Sequence, residues 1–296
     1  MTVLVTGASG LLGRAIVAAL VERDEVRATV RREDASEDLR ALGAKVAVRA
    51  VWGPDDVLEI LPRVHTIVHL TGGVNQPSDE AVLEANHAST LAVVAAARGS
   101  RVQRLILLSA PGAAPDHSHP FLRAKGLAEE AVVHSGLEHA VLRCTHAYGL
   151  GGLWFTASVV AAEHGLVIGD GRQRLAPVFA DDVGAVVAAI DDSRDHVTGV
   201  WSLAGPDVVT ADELFALLGE GGEPVHLDSR TAAVRLTELL GMPLSAGTAD
   251  LFAAASVPDG PGATAAFGIR PTPLEEGLRL TVARAAGAAA RVPRDG

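Results

Sequence analysis

The sequence predicts an α/β fold with a doubly wound parallel sheet and a small C-terminal lobe. Three observations predict this fold. Apolar strands alternate with helical stretches, a glycine-rich turn joins the first strand to the first helix, and 48% of the 296 residues are hydrophobic. Strands that alternate with helices form parallel sheets, and such sheets bind ligands outside the carboxyl ends of their strands. We therefore expect the functional site at those ends.

The strand and helix pattern divides the chain into a sheet domain and a lobe. Strands are predicted at 2–6, 26–30, 45–51, 65–71, 104–109, 139–143 and 200–203, with a short one inside 174–183 that ends in a helix cap at Asp181. Helices are predicted at 11–23, before 42, at 55–61, 80–98 and 120–135, and from 210. Residues 1–150, with 174–205 returning to them, should form the sheet domain. Residues 151–173 and 206–296 should form the lobe, with 283–296 as a frayed tail.

The stretch GASGLLGR at residues 7–14 directly follows the first strand and opens the first helix. Three glycines in this context predict the phosphate-binding turn of a dinucleotide site. Gly7 would allow the tight turn, Gly10 would let a pyrophosphate approach the main chain, and Gly13 would let the helix pack closely on the strand. The N–H groups expected to face the phosphates are those of Ser9, Leu11 and Leu12.

Composition excludes several classes of partner. The net charge of −11 argues against nucleic acid and anionic membranes, so we expect a small-molecule partner. A single cysteine permits no intramolecular disulfide, and neither a membrane span nor a signal peptide is expected, which favours the cytoplasm. The histidines show no metal-ligand spacing, so no metal is expected. Either a monomer or a homodimer is compatible with the sequence.

Several motifs together resemble the extended and atypical short-chain dehydrogenase/reductase (SDR) superfamily. They are TGASGLLG at 6–13, HLTG at 69–72, Asn86 with Ser89-Thr90, Lys125, Arg143 with Tyr148-Gly149, and PVFADDV at 177–183. The stretches GDGRQRL at 169–175 and FGIRP at 267–271 are similar to the branch containing the SDR-type accessory subunit of respiratory complex I and NmrA-like proteins. The resemblance implies a Rossmann fold that binds a nicotinamide dinucleotide.

The end of the second strand predicts which dinucleotide is bound. An acidic residue there would bind the ribose hydroxyls of NAD(H), whereas this chain has Arg31 and Arg32, which could clamp the 2′-phosphate of NADP(H). The alternative is a pair of surface arginines balanced by Glu33 and Asp34. The remaining predicted cofactor contacts are Leu70, Thr71, Gly72, Asn86, Lys125, Cys144 and His146. For Asn86, a core amide satisfied by neighbouring backbone is an equal alternative.

The catalytic motif departs from the family pattern. The resemblance implies a tyrosine four residues before Lys125, but that position is Phe121, which has no ionisable proton. Lys125 should keep its role at the nicotinamide ribose. Candidates to replace the phenol are Ser109 at the end of the fifth strand, His119 in the next loop, and Tyr148; the alternatives are a solvated loop histidine and a structural tyrosine.

Three functions remain open from the sequence. The first is NADPH-dependent reduction of a small carbonyl, quinone or aromatic biosynthetic intermediate, with residues 153–155 on the substrate side. The second is a non-redox SDR-fold enzyme such as a dehydratase, cyclase or isomerase. The third is an NmrA-like dinucleotide-binding sensor or assembly protein without turnover. All three need the bound dinucleotide, and Phe121 favours the last two.

Overall fold

The computed structural model describes residues 1–51, 53–219 and 222–291. Its strands, β1 to β13 in chain order, are Thr2–Thr6, Glu25–Val30, Lys45–Val48, Thr66–His69, Arg104–Ser109, Glu138–Cys144, Ala147–Tyr148, Leu166–Ile168, Arg174–Leu175, Val178–Phe179, Thr198–Leu203, Val209–Thr210 and Val225–Leu227. Its helices, α1 to α13, are Leu11–Leu20, Glu37–Ala41, Pro54–Leu58, Asp79–Leu83, Ser89–Arg98, Pro120–Val133, Leu153–Glu163, Ala180–Asp192, Ala211–Leu218, Ser229–Leu240, Ala246–Ala253, Ala263–Ala266 and Leu274–Arg291. No helix in these ranges is long and apolar enough to cross a membrane.

Seven strands form one parallel sheet in the order β11-β6-β5-β4-β1-β2-β3. Its central strands β4 and β5 are buried along their whole length, as expected where helices cover both faces of a sheet. On one face α1 and α8 pack so closely that a Cβ on Gly184 would lie 2.6 Å from the Ala15 carbonyl oxygen. The order reverses between β1 and β4, which creates the crevice typical of doubly wound sheets. The predicted fold class is confirmed.

A second apolar core belongs to the lobe, and it lies beyond the carboxyl ends of the sheet strands. Its members come mainly from α7, α9, α10, α11 and β8, and its aromatic rings include Trp154, Phe215 and Phe252. The small sheets β7–β10, β9–β12 and β8–β13 tie this core together. The domain boundaries at 150, 174 and 205 remain predictions.

The structure corrects the predicted helix at 80–98. A π-helical turn, Glu84–Ala88, separates α4 from α5. The chain there accommodates the buried amide of Asn86, whose Nδ2 donates to the Val82 carbonyl at 2.8 Å. π-helical turns are frequent at functional sites, and this one faces the loop that follows β4.

Two further boundaries differ from the sequence prediction. Helix α8 begins at Ala180, so Asp181 lies inside its first turn and pairs with Arg284 of α13 instead of capping the helix. Helix α13 continues to Arg291, through most of the predicted frayed tail, because its inner side packs on the lobe and buries Thr281. Residues 292–296 of that predicted tail lie outside the described residues.

Candidate functional site

A cavity of about 530 Å³ opens at the carboxyl ends of β1, β4, β5 and β6, between the sheet and the lobe. Its position is the crevice where doubly wound sheets bind their ligands. The predicted site residues that line it are Gly7, Ser9, Gly10, Leu11, Leu12, Gly13, Arg31, Leu70, Thr71, Gly72, Ser109, Lys125, Cys144 and His146. Four predicted site residues lie outside its lining: Arg32, Asn86, His119 and Tyr148.

The three glycine positions of the first turn require glycine for different physical reasons. Gly7 has a φ of +70°, and a Cβ there would lie 2.7 Å from the Thr71 backbone nitrogen. A Cβ on Gly13 would lie 2.4 Å from the Ala8 carbonyl oxygen. Gly10 has an ordinary φ of −78°, and its Cβ would have no neighbour within 4 Å. The fold therefore needs Gly7 and Gly13, whereas Gly10 keeps open a space that a ligand can enter.

The start of α1 offers hydrogen-bond donors to that space. Gly10 is the residue before the helix and has no side chain to cap it, so the first N–H groups of α1 lack a capping partner. Beside the turn, Thr71 Oγ1 is buried without a hydrogen-bond partner among the described residues. Backbone donors at the positive end of a helix suit a pyrophosphate. The turn thus fits the predicted dinucleotide.

Separate substitutions of Gly10 and Gly13 test which glycine is needed for ligand binding and which for folding. We expect Gly10→Ala to fold normally but to bind NADPH at least about tenfold more weakly, because its methyl group fills the phosphate space. Gly13→Ala should lower the free energy of unfolding by about 1–3 kcal/mol, because its Cβ overlaps backbone atoms. Urea unfolding and NADPH titration of both variants measure the two effects. Equal NADPH affinity of Gly10→Ala and wild type would contradict the role of Gly10.

Charge on the cavity wall is of one sign. The charged side chains among its described lining residues are Arg31, Arg49 and Lys125, and none is Asp or Glu. Arg49, which no sequence motif marks, pairs with Glu59 at 2.7 Å. A protein of net charge −11 thus presents only cations to this cavity, which suits an anionic cofactor.

The two predicted arginines at the end of β2 separate in the structure. Within the described part of the chain, Arg31 lines the cavity without an ion-pair partner. Arg32 points to solvent and pairs with Asp34, outside the cavity lining. In this arrangement Arg32 is the surface arginine balanced by Asp34, which was the alternative, and its cofactor role remains a prediction. Of the two arginines, Arg31 is the one that lines the cavity.

Asn86 acts on the cavity indirectly. Its Nδ2 donates to the Gly73 carbonyl at 3.1 Å, and its Oδ1 accepts from the Gly73 N–H at 3.3 Å. A Cβ on Gly72 would lie 2.3 Å from that same Oδ1, so the glycine lets the amide approach. In the structure Asn86 is a core amide satisfied by backbone, and it fixes the cavity-lining loop after β4; its contact with the cofactor remains a prediction.

Lys125 is buried on α6 and lines the cavity. Its Nζ donates to the Leu108 carbonyl at 2.9 Å and lies 5.7 Å from the centre of the Phe121 ring. Burial lowers the pKa of Lys125 to about 8, although the negative charge of Glu129 opposes that shift. The ammonium is therefore mostly protonated at pH 7 and is a stronger acid than an exposed lysine.

Ser109 lines the cavity, but its hydroxyl is already engaged. Its Oγ donates to the Glu129 carboxylate, which also accepts from Arg143 at 2.8 Å. Arg143 in turn bonds Asp259 of the lobe at 3.0 Å. An ionised carboxylate only accepts hydrogen bonds, so the Ser109 hydrogen is committed to Glu129. In this arrangement Ser109 offers the cavity an acceptor, and its role of polarising a carbonyl remains a prediction.

His119 and Tyr148 both lie outside the cavity lining, and their catalytic roles remain predictions. His119 caps α6: its Nδ1 accepts from the Phe121 N–H, and its Nε2 donates to the Gly247 carbonyl at 2.9 Å. Both ring nitrogens are thus engaged, Nδ1 in capping α6 and Nε2 in holding Gly247 of the lobe. Tyr148 is fully buried, with its hydroxyl 3.5 Å from the Leu274 carbonyl oxygen, and burial raises the pKa of its phenol. In this arrangement both side chains make structural contacts.

Cys144 and His146 lie on the cavity wall in electrically neutral forms. Burial raises the pKa of the Cys144 thiol to about 12, so it carries no thiolate at pH 7. Burial likewise lowers the pKa of His146 to about 4, and its imidazole is neutral. Lobe residues form the remainder of this wall, and those beyond Trp154 could not be predicted because no sequence motif marks them. They are Leu251, Phe252, Ala254, Ala255 and Ser256.

Comparison with known proteins agrees with this geometry. Residues 7–149 match a family described as NAD(P)H-binding. The chain is 30% identical over 226 residues to subunit 9 of the mitochondrial NADH dehydrogenase [ubiquinone] 1 alpha subcomplex from Arabidopsis thaliana, covering 72% of this chain and 56% of that protein. The chain thus spans about half the length of this relative.

Two further proteins are similar over more of their length. A (4-alkanoyl-5-oxo-2,5-dihydrofuran-3-yl)methyl phosphate reductase from Streptomyces griseus is 27% identical, with 80% of each chain covered. The crystal structure of a UDP-glucose 4-epimerase from Thermotoga maritima superimposes with a TM-score of 0.76 at 21% identity, covering 98% of this chain and all of the other. Motif, fold and relatives agree, and the chain belongs to the NAD(P)H-binding Rossmann proteins of the atypical SDR type.

Proposed function

We propose that this protein is an NADPH-dependent reductase of a small, uncharged carbonyl or quinone-like intermediate. One observation carries the proposal: charge on the cavity wall is confined to the sheet side. There Arg31, Arg49 and Lys125 supply positive charge. The lobe residues that line the cavity include none with a charged side chain; they are Gly152, Leu153, Trp154, Leu251, Phe252, Ala254, Ala255 and Ser256.

The lobe wall of the cavity lacks the groups that an anionic substrate requires. A phosphate or nucleotide group is ordinarily bound by Arg, Lys or a helix N-terminus with free N–H groups. The reductase from Streptomyces griseus is named for a phosphate ester, and the similar epimerase structure holds UDP-glucose. An apolar wall favours neither group, so we infer an uncharged substrate for this chain.

The same distribution of charge supports NADP(H) over NAD(H). Arg31 lines the cavity at the end of β2, where a 2′-phosphate is bound in related folds, and no carboxylate competes for it among the described residues. The turn at Gly7–Gly13 would hold the pyrophosphate. Lys125 would hold the nicotinamide ribose. The bound cofactor would supply a hydride.

Lys125 is the proposed proton donor. Phe121 has no acidic proton, Ser109 has given its hydrogen bond to Glu129, and the imidazole of His146 is neutral at pH 7. His119 and Tyr148 lie outside the cavity lining. Lys125 lines the cavity, and its ammonium has two N–H groups beyond the one donated to Leu108. It can therefore protonate an oxygen that becomes negative during reduction.

Loss of NADPH absorbance tests the proposal. We expect the purified protein to consume NADPH with uncharged quinones or ketones, and more slowly with matched substrates that carry a phosphate. NADH should support a lower rate at the same concentration. Tight NADPH binding without consumption on any member of such a panel would reject the reductase function and favour a binding protein without turnover.

A further inference from the structure

Three aromatic side chains meet on the lobe side of the cavity. His146 and Trp154 stack with ring centres 4.7 Å apart and an angle of 20° between their planes. Phe252 meets the His146 ring edge-on, with centres 6.1 Å apart and an angle of 88°. All three line the cavity, and we call them the aromatic platform.

The platform is held rigidly by backbone contacts. The His146 N–H donates to Ser256 Oγ at 3.1 Å, and the His146 carbonyl accepts from the Val178 N–H at 3.0 Å. Trp154 and Phe252 lie on separate helices, α7 and α11, and each is more than nine-tenths buried. A rigid set of rings keeps its shape when empty, so a ligand that matches it loses little free energy in ordering the protein.

The platform is also neutral. Burial holds the pKa of His146 near 4, opposed only by a contact with the Leu251 carbonyl. The His146 Nε2 is buried without a hydrogen-bond partner among the described residues. No lobe residue on this wall carries a charge, so the wall has no group that would select a charged ligand. What distinguishes it from an ordinary apolar wall is its ring content.

We infer that the aromatic platform selects a planar, conjugated ring as substrate, with Trp154 as the residue that discriminates it from a saturated ring. Aromatic faces interact by offset stacking or edge-to-face contact, and these interactions add to the burial of apolar area. A saturated ring gains only the free energy of burying its apolar area. This inference rests on the proposed function, because it names the class of molecule that the reductase would accept.

Binding of menadione, a planar naphthoquinone, and of cyclohexanone, a saturated ketone, tests the inference. Calorimetric titration into protein saturated with NADP⁺ keeps turnover out of the measurement. We expect Trp154→Ala to weaken menadione binding about tenfold and cyclohexanone binding less than about twofold. Trp154→Phe, which keeps a ring, should stay within about threefold of wild type for menadione. The matched control is Trp201→Ala, because Trp201 packs against Phe267 outside the cavity lining.

Circular dichroism and NADP⁺ affinity establish that each variant is folded. If Trp154→Ala does not fold, Phe252→Leu replaces it, because it removes a ring and keeps an apolar side chain; menadione binding should then weaken about threefold. Unchanged menadione affinity, or equal losses for both probes, would overturn the inference. If menadione binding depends on Trp154 but no NADPH is consumed, the proposed reductase function is rejected and the role of the platform stands. If the protein reduces menadione with NADPH equally well without Trp154, the role of the platform is rejected and the reductase function stands.

Discussion

Replacing Arg31 with alanine should lower the affinity for NADPH roughly 10- to 100-fold while leaving the affinity for NADH nearly unchanged. The guanidinium lines the cavity at the end of β2 and has no ion-pair partner among the described residues. Hydrogen bonds to a charged group contribute about 1.5–3 kcal/mol, and only NADPH carries the 2′-phosphate that would receive them. Fluorescence titration with both dinucleotides gives the two dissociation constants.

Arg32→Ala is the matched control, because it removes the same side chain one residue further along. Arg32 is paired with Asp34 at the surface, with 79% of its side chain exposed. The NADPH-to-NADH affinity ratio of this variant should stay within about twofold of wild type, as surface ion pairs contribute little. A ratio that changes equally in both variants would mean a general electrostatic effect. A ratio unchanged in Arg31→Ala would remove the basis for preferring NADP(H).

The parts of the fold and site that could be predicted are those encoded locally. Parallel strands follow from short apolar runs between helical stretches, and the roles of Gly7, Gly10 and Gly13 follow from a strand, a turn and a helix in immediate succession. Arg31 and Lys125 were also found locally, at a strand end and on a helix. Glu129 was missed although a signal existed: it follows Lys125 by one helical turn and shares its buried face.

Other parts depend on contacts between distant segments. Nothing near His119 in sequence indicates that Gly247 will occupy its Nε2, and nothing near Tyr148 indicates that the Leu274 carbonyl will cover its hydroxyl. The lobe wall around Phe252 cannot be predicted from the sequence either, because apolar helix residues show the same pattern whether they face a core or a cavity. The proposal that the substrate is uncharged therefore draws on the three-dimensional arrangement of this wall.

Replacing Lys125 with methionine should reduce the rate of NADPH-dependent reduction about 100-fold or more, the usual contribution of a general acid. Lys125→Arg keeps the positive charge but cannot release a proton at any accessible pH. NADPH affinity should therefore stay within a few-fold in Lys125→Arg, whereas its turnover should fall nearly as far as in the methionine variant. Lys45→Arg is the control, because Lys45 is the only other lysine and pairs with Glu25 at the surface. Steady-state rates and NADPH titration separate the two effects.

The pH profile of Lys125 is the sharper test of its role. Burial lowers its pKa to about 8, so the protonated form that donates dominates below that pH and is lost as the pH rises through it. The negative charge of a bound dinucleotide acts in the opposite direction and raises the pKa, so kcat/KM for the carbonyl substrate at saturating NADPH should fall at or above pH 8. The residual activity of Lys125→Arg should lack this fall. If the same fall persists in that variant, another group donates the proton, and Lys125 would serve only to hold the ribose.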